Sequence, residues 1–252
     1  MKKYFIANWK MNLLKDQQAD LVNHIRSLTF SKDDVSVIVC PSYPNIPAAA
    51  EMLKSTAIEL GAQDVSWEAE GAMTGEVSAE MLKSFGVEYV VIGHSERRHK
   101  MNEDNDMVHK KIATAIASGL TPILCVGETF DQRKQGITDT VLIEQIQTAF
   151  AGITLRSHQT CIVAYEPVWV IGTGQAVDPK EAFHSVAVLR ETLHDVLHET
   201  EANHLDIPIL YGGSVHADNV KDFLKDDIKG VLVGGASLKE DEFAAMVKAL
   251  HD

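Results

Sequence analysis

Along this chain, short apolar runs alternate with stretches of helical period, and they do so eight times. The strand candidates are Tyr4–Ala7, Val35–Cys40, Ile58–Ala62, Tyr89–Ile92, Pro122–Val126, Cys161–Tyr165, Pro208–Tyr211 and Gly230–Val233. Each is rich in β-branched or aromatic residues and bounded by Gly, Pro or polar clusters. Helical segments follow, among them Asp104–Ser118, Asp178–His198 and Glu240–Leu250. The second opens on an Asp cap, a Pro at the first helical position and a Glu three residues past the cap, the pattern of a capping box. Continuous apolar strands, each followed by a helix, mean a parallel sheet covered on both faces. A doubly wound open sheet competes, but eight units in 252 residues fit a closed (β/α)8 barrel better. There is no linker, low-complexity tract or repeat, so the chain reads as one α/β domain over 1–252.

Composition narrows the partners. A formal net charge of -13 leaves no basic stripe for nucleic acid or an anionic membrane surface. A small anionic substrate then requires a local cationic pocket working against the general field. Cys40, Cys125 and Cys161 each lie within an apolar run and form no CxxC pair, which points to buried thiols in a reducing compartment. The opening Met1–Ala7 mimics a signal peptide, but Asn8 and Lys10 end the apolar run too soon. No segment approaches the length of a membrane-spanning helix. The expected location is cytoplasmic.

In a (β/α)8 barrel the active residues stand on the loops leaving the carboxyl ends of the strands. After the sixth strand come Glu166-Pro167-Val168-Trp169-Val170-Ile171-Gly172-Thr173-Gly174. Pro167 disfavours the helical conformation at Glu166 and holds it extended. A carboxylate hinged to an apolar flap reads as a catalytic base beneath a lid that excludes water. A surface Glu before an ordinary strand-to-helix loop fits the same residues. After the first strand, Asn8 and Lys10 are two apart, so an extended backbone projects them to one face with Trp9 packed the other way. Lys10 is then an anion anchor, or else a solvated Lys at a strand end.

After the fourth strand, Gly93-His94-Ser95-Glu96-Arg97-Arg98 lacks the second glycine of a nucleophile elbow. It also lacks the Pro-Cys-x-x-Cys of a zinc deaminase and the HExxH of a zinc protease. A lone His is commonly structural, but His94 follows a strand and opens a polar helix, which favours a catalytic role. Gly212-Gly213-Ser214 follows the seventh strand and Gly234-Gly235-Ala236-Ser237 the eighth. Glycines let a backbone approach a ligand, and a helix start offers free N–H groups to an anion. Any one of these pairs alone would be a tight turn. Together with Gly172-Thr173-Gly174 they point to a phosphate, a group that (β/α)8 enzymes often hold on the last two loops.

Asn8-Trp9-Lys10-Met11-Asn12, Gly93–Arg98, Tyr165–Trp169, Gly172–Gly174, Tyr211–Val215 and Leu232–Leu238 together resemble the triosephosphate isomerase family, in its order and spacing, from end to end of the chain. The resemblance implies an isomerase, free of cofactor and metal, that interconverts dihydroxyacetone phosphate and D-glyceraldehyde 3-phosphate through an enediolate. It implies Glu166 as base, His94 as electrophile at the substrate oxygens and Lys10 as the charge that steadies the intermediate. Asn8 would orient substrate and Lys10, and Glu96 would brace the site from behind. Gly172, Ser214, Gly234 and Gly235 would hold the phosphate, under a lid of Pro167, Val168, Trp169, Val170, Ile171, Gly172, Thr173 and Gly174 secured by Tyr211. It also implies a homodimer whose third loop, Trp67–Gly75, brings Thr74 to the neighbouring copy's Asn8 and Lys10.

The chain departs from the family pattern at several places. Val170 replaces the usual Ala of the lid, and Gln175-Ala176-Val177 replaces a Lys-initiated hinge. Met101-Asn102 stands for an aromatic-Gly pair, Asp64 for a common Asn, and Lys229 for Asp or Asn. None removes a catalytic group; they touch lid kinetics, stability and substrate preference. One rival is a paralogue acting on a four-carbon ketose phosphate. A second is a retaining glycosidase built on Glu96, Glu128 or Glu166, which needs two carboxylates about 5 Å apart. A third is a non-catalytic barrel serving as a binding protein, whose signature would be loss of the base, the His or the Lys.

Overall fold

The computed structural model describes residues 2–156, 159–173, 175–197, 207–225 and 227–251. Its strands are β1 Lys3–Asn8, β2 Val35–Cys40, β3 Glu59–Ala62, β4 Tyr89–Ile92, β5 Thr121–Val126, β6 Ile162–Tyr165, β7 Ile209–Tyr211 and β8 Ile228–Val233. All pair in parallel in sequence order, and β8 returns to β1, so the sheet is a closed barrel and not a doubly wound open one. Closure removes the exposed strand edges that an open sheet must cover. Gly230 stands where the circle closes: at φ 151° it lies beside the Tyr4 backbone, into which any Cβ would run.

Burial on both faces explains the continuous apolar strands. Ile6, Ile38, Val91, Ile123, Ala164, Leu210 and Leu232 form a core to which no helix contributes, and it therefore fills the barrel itself. Their strand neighbours Phe5, Ala7, Val37, Val90, Val163 and Val231 face outward and join helix residues such as Ile112, Leu142 and Leu189. The two-residue alternation of strand side chains separates the two shells.

The sequence-predicted helices are present at Asn105–Ala117, Pro179–Leu197 and Glu240–His251. Asp104 caps the first, its Oδ1 accepting the Met107 N–H at 2.8 Å. At the second, Asp178 Oδ1 accepts the Lys180 N–H at 2.9 Å, and the Glu181 carboxylate expected in the capping box reaches across to Arg133 at 2.7 Å. His198, the predicted last residue of that helix, lies outside the described residues. The helix after β7 is reduced to Val220–Phe223, and after β8 a 3-10 turn, Gly235–Leu238, precedes the final helix. Cys40, Cys125 and Cys161 are buried and unpaired. No described helix is long and apolar enough to cross a membrane.

Candidate active site

The carboxyl ends of the strands converge on a cavity of about 390 Å³, lined by Asn8, Lys10, His94 and Glu166 together with lid residues Ile171 and Gly172 and the glycine-rich loops after β7 and β8. Residues far apart in sequence are brought together here because barrel closure places every strand end on one rim.

Glu166 is only 2% exposed. Its Oε1 lies 3.1 Å from His94 Nε2, and its Oε2 accepts the Ser95 N–H at 3.1 Å. The backbone fixes it further, with the Glu166 N–H donating to Val126 O at 2.7 Å and the Gly212 N–H donating to Tyr165 O at 2.7 Å. Two glycines leave it room: a Cβ at Gly127 would overlap the Glu166 carbonyl, and one at Gly212 would lie 2.9 Å from Glu166 Cγ. Burial alone would push the Glu166 carboxyl up. The facing His94, the Ser95 amide and the Lys10 ammonium outweigh that and hold it below the ordinary carboxylate range.

His94 caps the short helix Ser95–Lys100, with its Nδ1 accepting the Glu96 N–H at 3.2 Å. A backbone N–H can only donate, so Nδ1 carries no proton, and the ring proton sits on Nε2, pointing at Glu166.

Lys10 joins Asn8 at the cavity, but not by the extended alternation expected from the sequence. Its φ is 53°, a left-handed conformation unusual for a residue with a side chain. Three hydrogen bonds lock the turn: Asn8 Oδ1 accepts the Lys10 N–H at 3.0 Å, and Gln63 Nε2 donates to Lys10 O at 2.8 Å and to Cys40 O at 2.9 Å. Trp9 packs outward as expected, fully buried in the outer core. Lys10 Nζ lies 3.0 Å from Glu96 Oε1 and against Gly234, where a Cβ would come within 3.4 Å of it.

Around the expected anion site, Gly172 has a φ of 75° and is exposed, while Ser214 Oγ donates to the lid carbonyl of Val170 at 2.9 Å. Gly234 and Gly235 start the 3-10 turn after β8, and a Cβ at Gly235 would meet nothing within 4 Å. Space is thus left in front of that turn for a ligand. His216 and Lys239, which the sequence did not single out, also line the cavity. In the loop after β6, where the lid is expected, Val168–Val170 form a 3-10 turn and Trp169 Nε1 donates to Glu128 Oε1 at 2.9 Å; just beyond it, the Val177 N–H donates to Tyr211 OH at 3.3 Å. Gly174, part of the expected lid, lies outside the described residues. Thr74 is exposed on the loop after β3.

Of the three carboxylates a glycosidase would draw on, Glu128 and Glu96 do not line the cavity; Glu128 lies under the lid, bonded to Trp169 and Tyr165. No group of His, Cys, Asp and Glu suited to a metal ion occurs among the described residues.

Behind His94 lies a charged cluster that sequence reasoning missed. Lys111 Nζ is 2.7 Å from Asp64 Oδ1 and 2.6 Å from Glu103 Oε2, and Arg97 bridges the same two carboxylates at 2.8 and 2.7 Å. Glu103 Oε1 also accepts the Gly93 N–H at 3.2 Å, which ties the cluster to the loop carrying His94. The legible signal was Lys111 itself, a charge among the buried Val108, Ile112 and Ala115 of its helix.

Fold and site define a (β/α)8-barrel enzyme whose cavity sets a buried Glu–His pair beside glycine-rich loops. A family model described as triosephosphate isomerase matches residues 3–250. Triosephosphate isomerases of Carboxydothermus hydrogenoformans, Dictyoglomus thermophilum and Aquifex aeolicus are 43%, 39% and 39% identical to it, each over 98% of this chain and 99% of the relative. The chain belongs to the triosephosphate isomerase family.

Two outcomes are expected. The Glu166 carboxyl carbon, followed by NMR, should titrate below the ordinary value of about 4.3. With the folded value below the unfolded one, ionised Glu166 contributes stability above pH ~4.3 that is lost as pH falls through the folded value. A midpoint above the ordinary value would show that desolvation prevails. Lys111→Met should cost about 3–5 kcal/mol in urea unfolding, because two buried carboxylates lose a partner; a loss below about 1 kcal/mol would show that the cluster is solvated.

Proposed function

We propose that this chain, as a single barrel domain, interconverts dihydroxyacetone phosphate and D-glyceraldehyde 3-phosphate with Glu166 as base and His94 as electrophile. The observation that carries the assignment of roles is the 3.1 Å contact between Glu166 Oε1 and the protonated Nε2 of His94 on the cavity wall. Substrate entering between them exchanges this contact for two others. Glu166 takes a proton from the carbon beside the carbonyl, the C–H pair becomes the C=C bond, and the carbonyl pair moves onto oxygen. His94 Nε2–H and the Lys10 ammonium meet that charge where it develops, which lowers the barrel's barrier to enolisation. The hydroxyl proton crosses between the two oxygens, and Glu166 returns its proton to the former carbonyl carbon. Asn8 orients Lys10, and Glu96 holds its ammonium. Because the proton returns to the same molecule, the reaction requires neither cofactor nor metal.

The phosphate is held by the Gly172, Ser214, Gly234 and Gly235 loops, with Pro167–Thr173 as the lid. Buried, unpaired cysteines and an acidic surface support a cytoplasmic setting.

The assembly we propose is a homodimer. Met11 is 95% exposed and Met101 64%, and the loop around Thr74 is exposed throughout. These segments follow β1, β4 and β3 on one rim, and water-exposed Met side chains there favour a partner surface. In the dimer Thr74 would approach the Asn8 and Lys10 of the other copy.

A coupled assay in chelator, run beside Glu166→Gln, tests the function. High chelator-resistant activity that falls at least ~10³-fold in the variant is expected. A folded wild type active only on a four-carbon ketose phosphate, or inactive, would overturn it. Sedimentation should give about twice the 27.7 kDa chain mass, with Thr74→Arg shifting the protein toward monomer and lowering turnover. A wild-type monomer of full activity would overturn the dimer.

A further inference from the structure

The lid is gripped from outside the cavity as well as from within. Trp169, in its 3-10 turn, donates through Nε1 to Glu128, and the Arg133 guanidinium lies 4.5 Å over the centre of its ring. Phe130 approaches the same indole, with ring centroids 6.5 Å apart. Arg133 also donates to Glu181 Oε2 at 2.7 Å. Glu181 belongs to the first turn of the Pro179–Leu197 helix, into which the lid exits. One side chain of the short helix Phe130–Lys134 after β5 therefore touches the lid at Trp169 and, at Glu181, the helix that follows the lid.

We propose that Arg133 is a positioning residue of the lid, favouring the docked state in which Ser214 holds Val170 and Tyr211 holds Val177. The inference rests on the isomerase reading of the site. A cation over an indole is drawn to the electron-rich face of the ring. The Glu128 carboxylate on the indole N–H pushes electron density into that ring and strengthens the attraction. The Glu181 bridge fixes the guanidinium plane beforehand, so less side-chain freedom is lost on stacking. Only a planar guanidinium can stack by its face and donate by its edge at once, which separates Arg from Lys at this position.

The readout is the fate of the enediolate. With the lid undocked, the enediolate oxygen pair closes to a carbonyl, the C=C pair shifts to the phosphate-bearing carbon, the C–O pair leaves with inorganic phosphate, and the enol so formed shifts its hydroxyl proton to carbon to give methylglyoxal. Arg133→Met should raise methylglyoxal formed per isomerisation by about two- to fivefold, the range expected for loss of one partly exposed cation–π contact. Arg133→Lys should fall between it and wild type. Glu181→Gln should act in the same direction, and the double variant should exceed Arg133→Met little, since both act through one contact. Should Arg133→Met not fold, Glu181→Gln alone must raise the ratio. An unchanged ratio in an active, folded Arg133→Met, or effects of the two substitutions that simply multiply, would overturn the inference alone. A wild type without isomerase activity would overturn the isomerase reading and this inference with it.

Discussion

A carboxylate withdrawn from water must be met by donors, and the site is organised around that requirement at Glu166. Its two oxygens are taken by His94 Nε2 and the Ser95 amide, both from the loop after β4. That arrangement works only if the His94 proton is on Nε2, which the Glu96 amide ensures by occupying Nδ1. It also works only if the Glu166 backbone sits close against its neighbours, which Gly127 and Gly212 permit. Unpaired, such a buried charge would cost several kcal/mol, or the group would become neutral. The donors that keep Glu166 ionised at rest are the ones a developing oxyanion would use. Under the proposed mechanism, the stability of the site and its readiness for the reaction would have one physical origin.

Positive charge is rationed around this centre. Lys10 meets Glu96, and its φ of 53° persists because Asn8 and Gln63 hold the peptide units on either side. Deeper in, Lys111 and Arg97 face Asp64 and Glu103. Burial pushes the Glu103 carboxyl up, and its two cationic partners bring it below the ordinary range. Two cations and two carboxylates make this cluster neutral. With Asn in place of Asp64 it would carry a buried excess of one positive charge, so the departure from the family pattern suits Lys111 and Arg97 electrostatically.

Much of this architecture was legible in the sequence because strand burial on two faces leaves a plain apolar mark, and because carboxyl-end loops collect polar residues. The positions of Glu166, His94 and Lys10 followed from those two rules. The path of Lys10 did not. Spacing of two placed it correctly beside Asn8, yet the backbone reaches that position through a left-handed turn whose support, Gln63, comes from another strand end. The charged cluster was hidden for the same reason: Lys111 and Asp64 are far apart in the chain, and the parallel pairing of β3 with β4 makes them neighbours. Gly212 shows a different failure. Its loop reads as an anion cradle, whereas its own hydrogen atom is what leaves Glu166 room.

The lid illustrates how one barrel rim lets loops control one another. Val168–Val170 is too short a turn to hold itself in place, and the Trp169 indole N–H is the one polar side-chain group it carries. Anchors come from both neighbouring strand ends: Glu128 after β5 takes the Trp169 indole, and Ser214 after β7 takes the Val170 carbonyl. Burial raises the Glu128 carboxyl, while the Trp169 and Tyr165 donors work against that rise. Movement of Trp169 would therefore remove one of the groups that favour charge on Glu128. Neither Trp169 nor Glu128 lines the cavity in which Glu166 lies, so this pair anchors the loop after β6 from outside it.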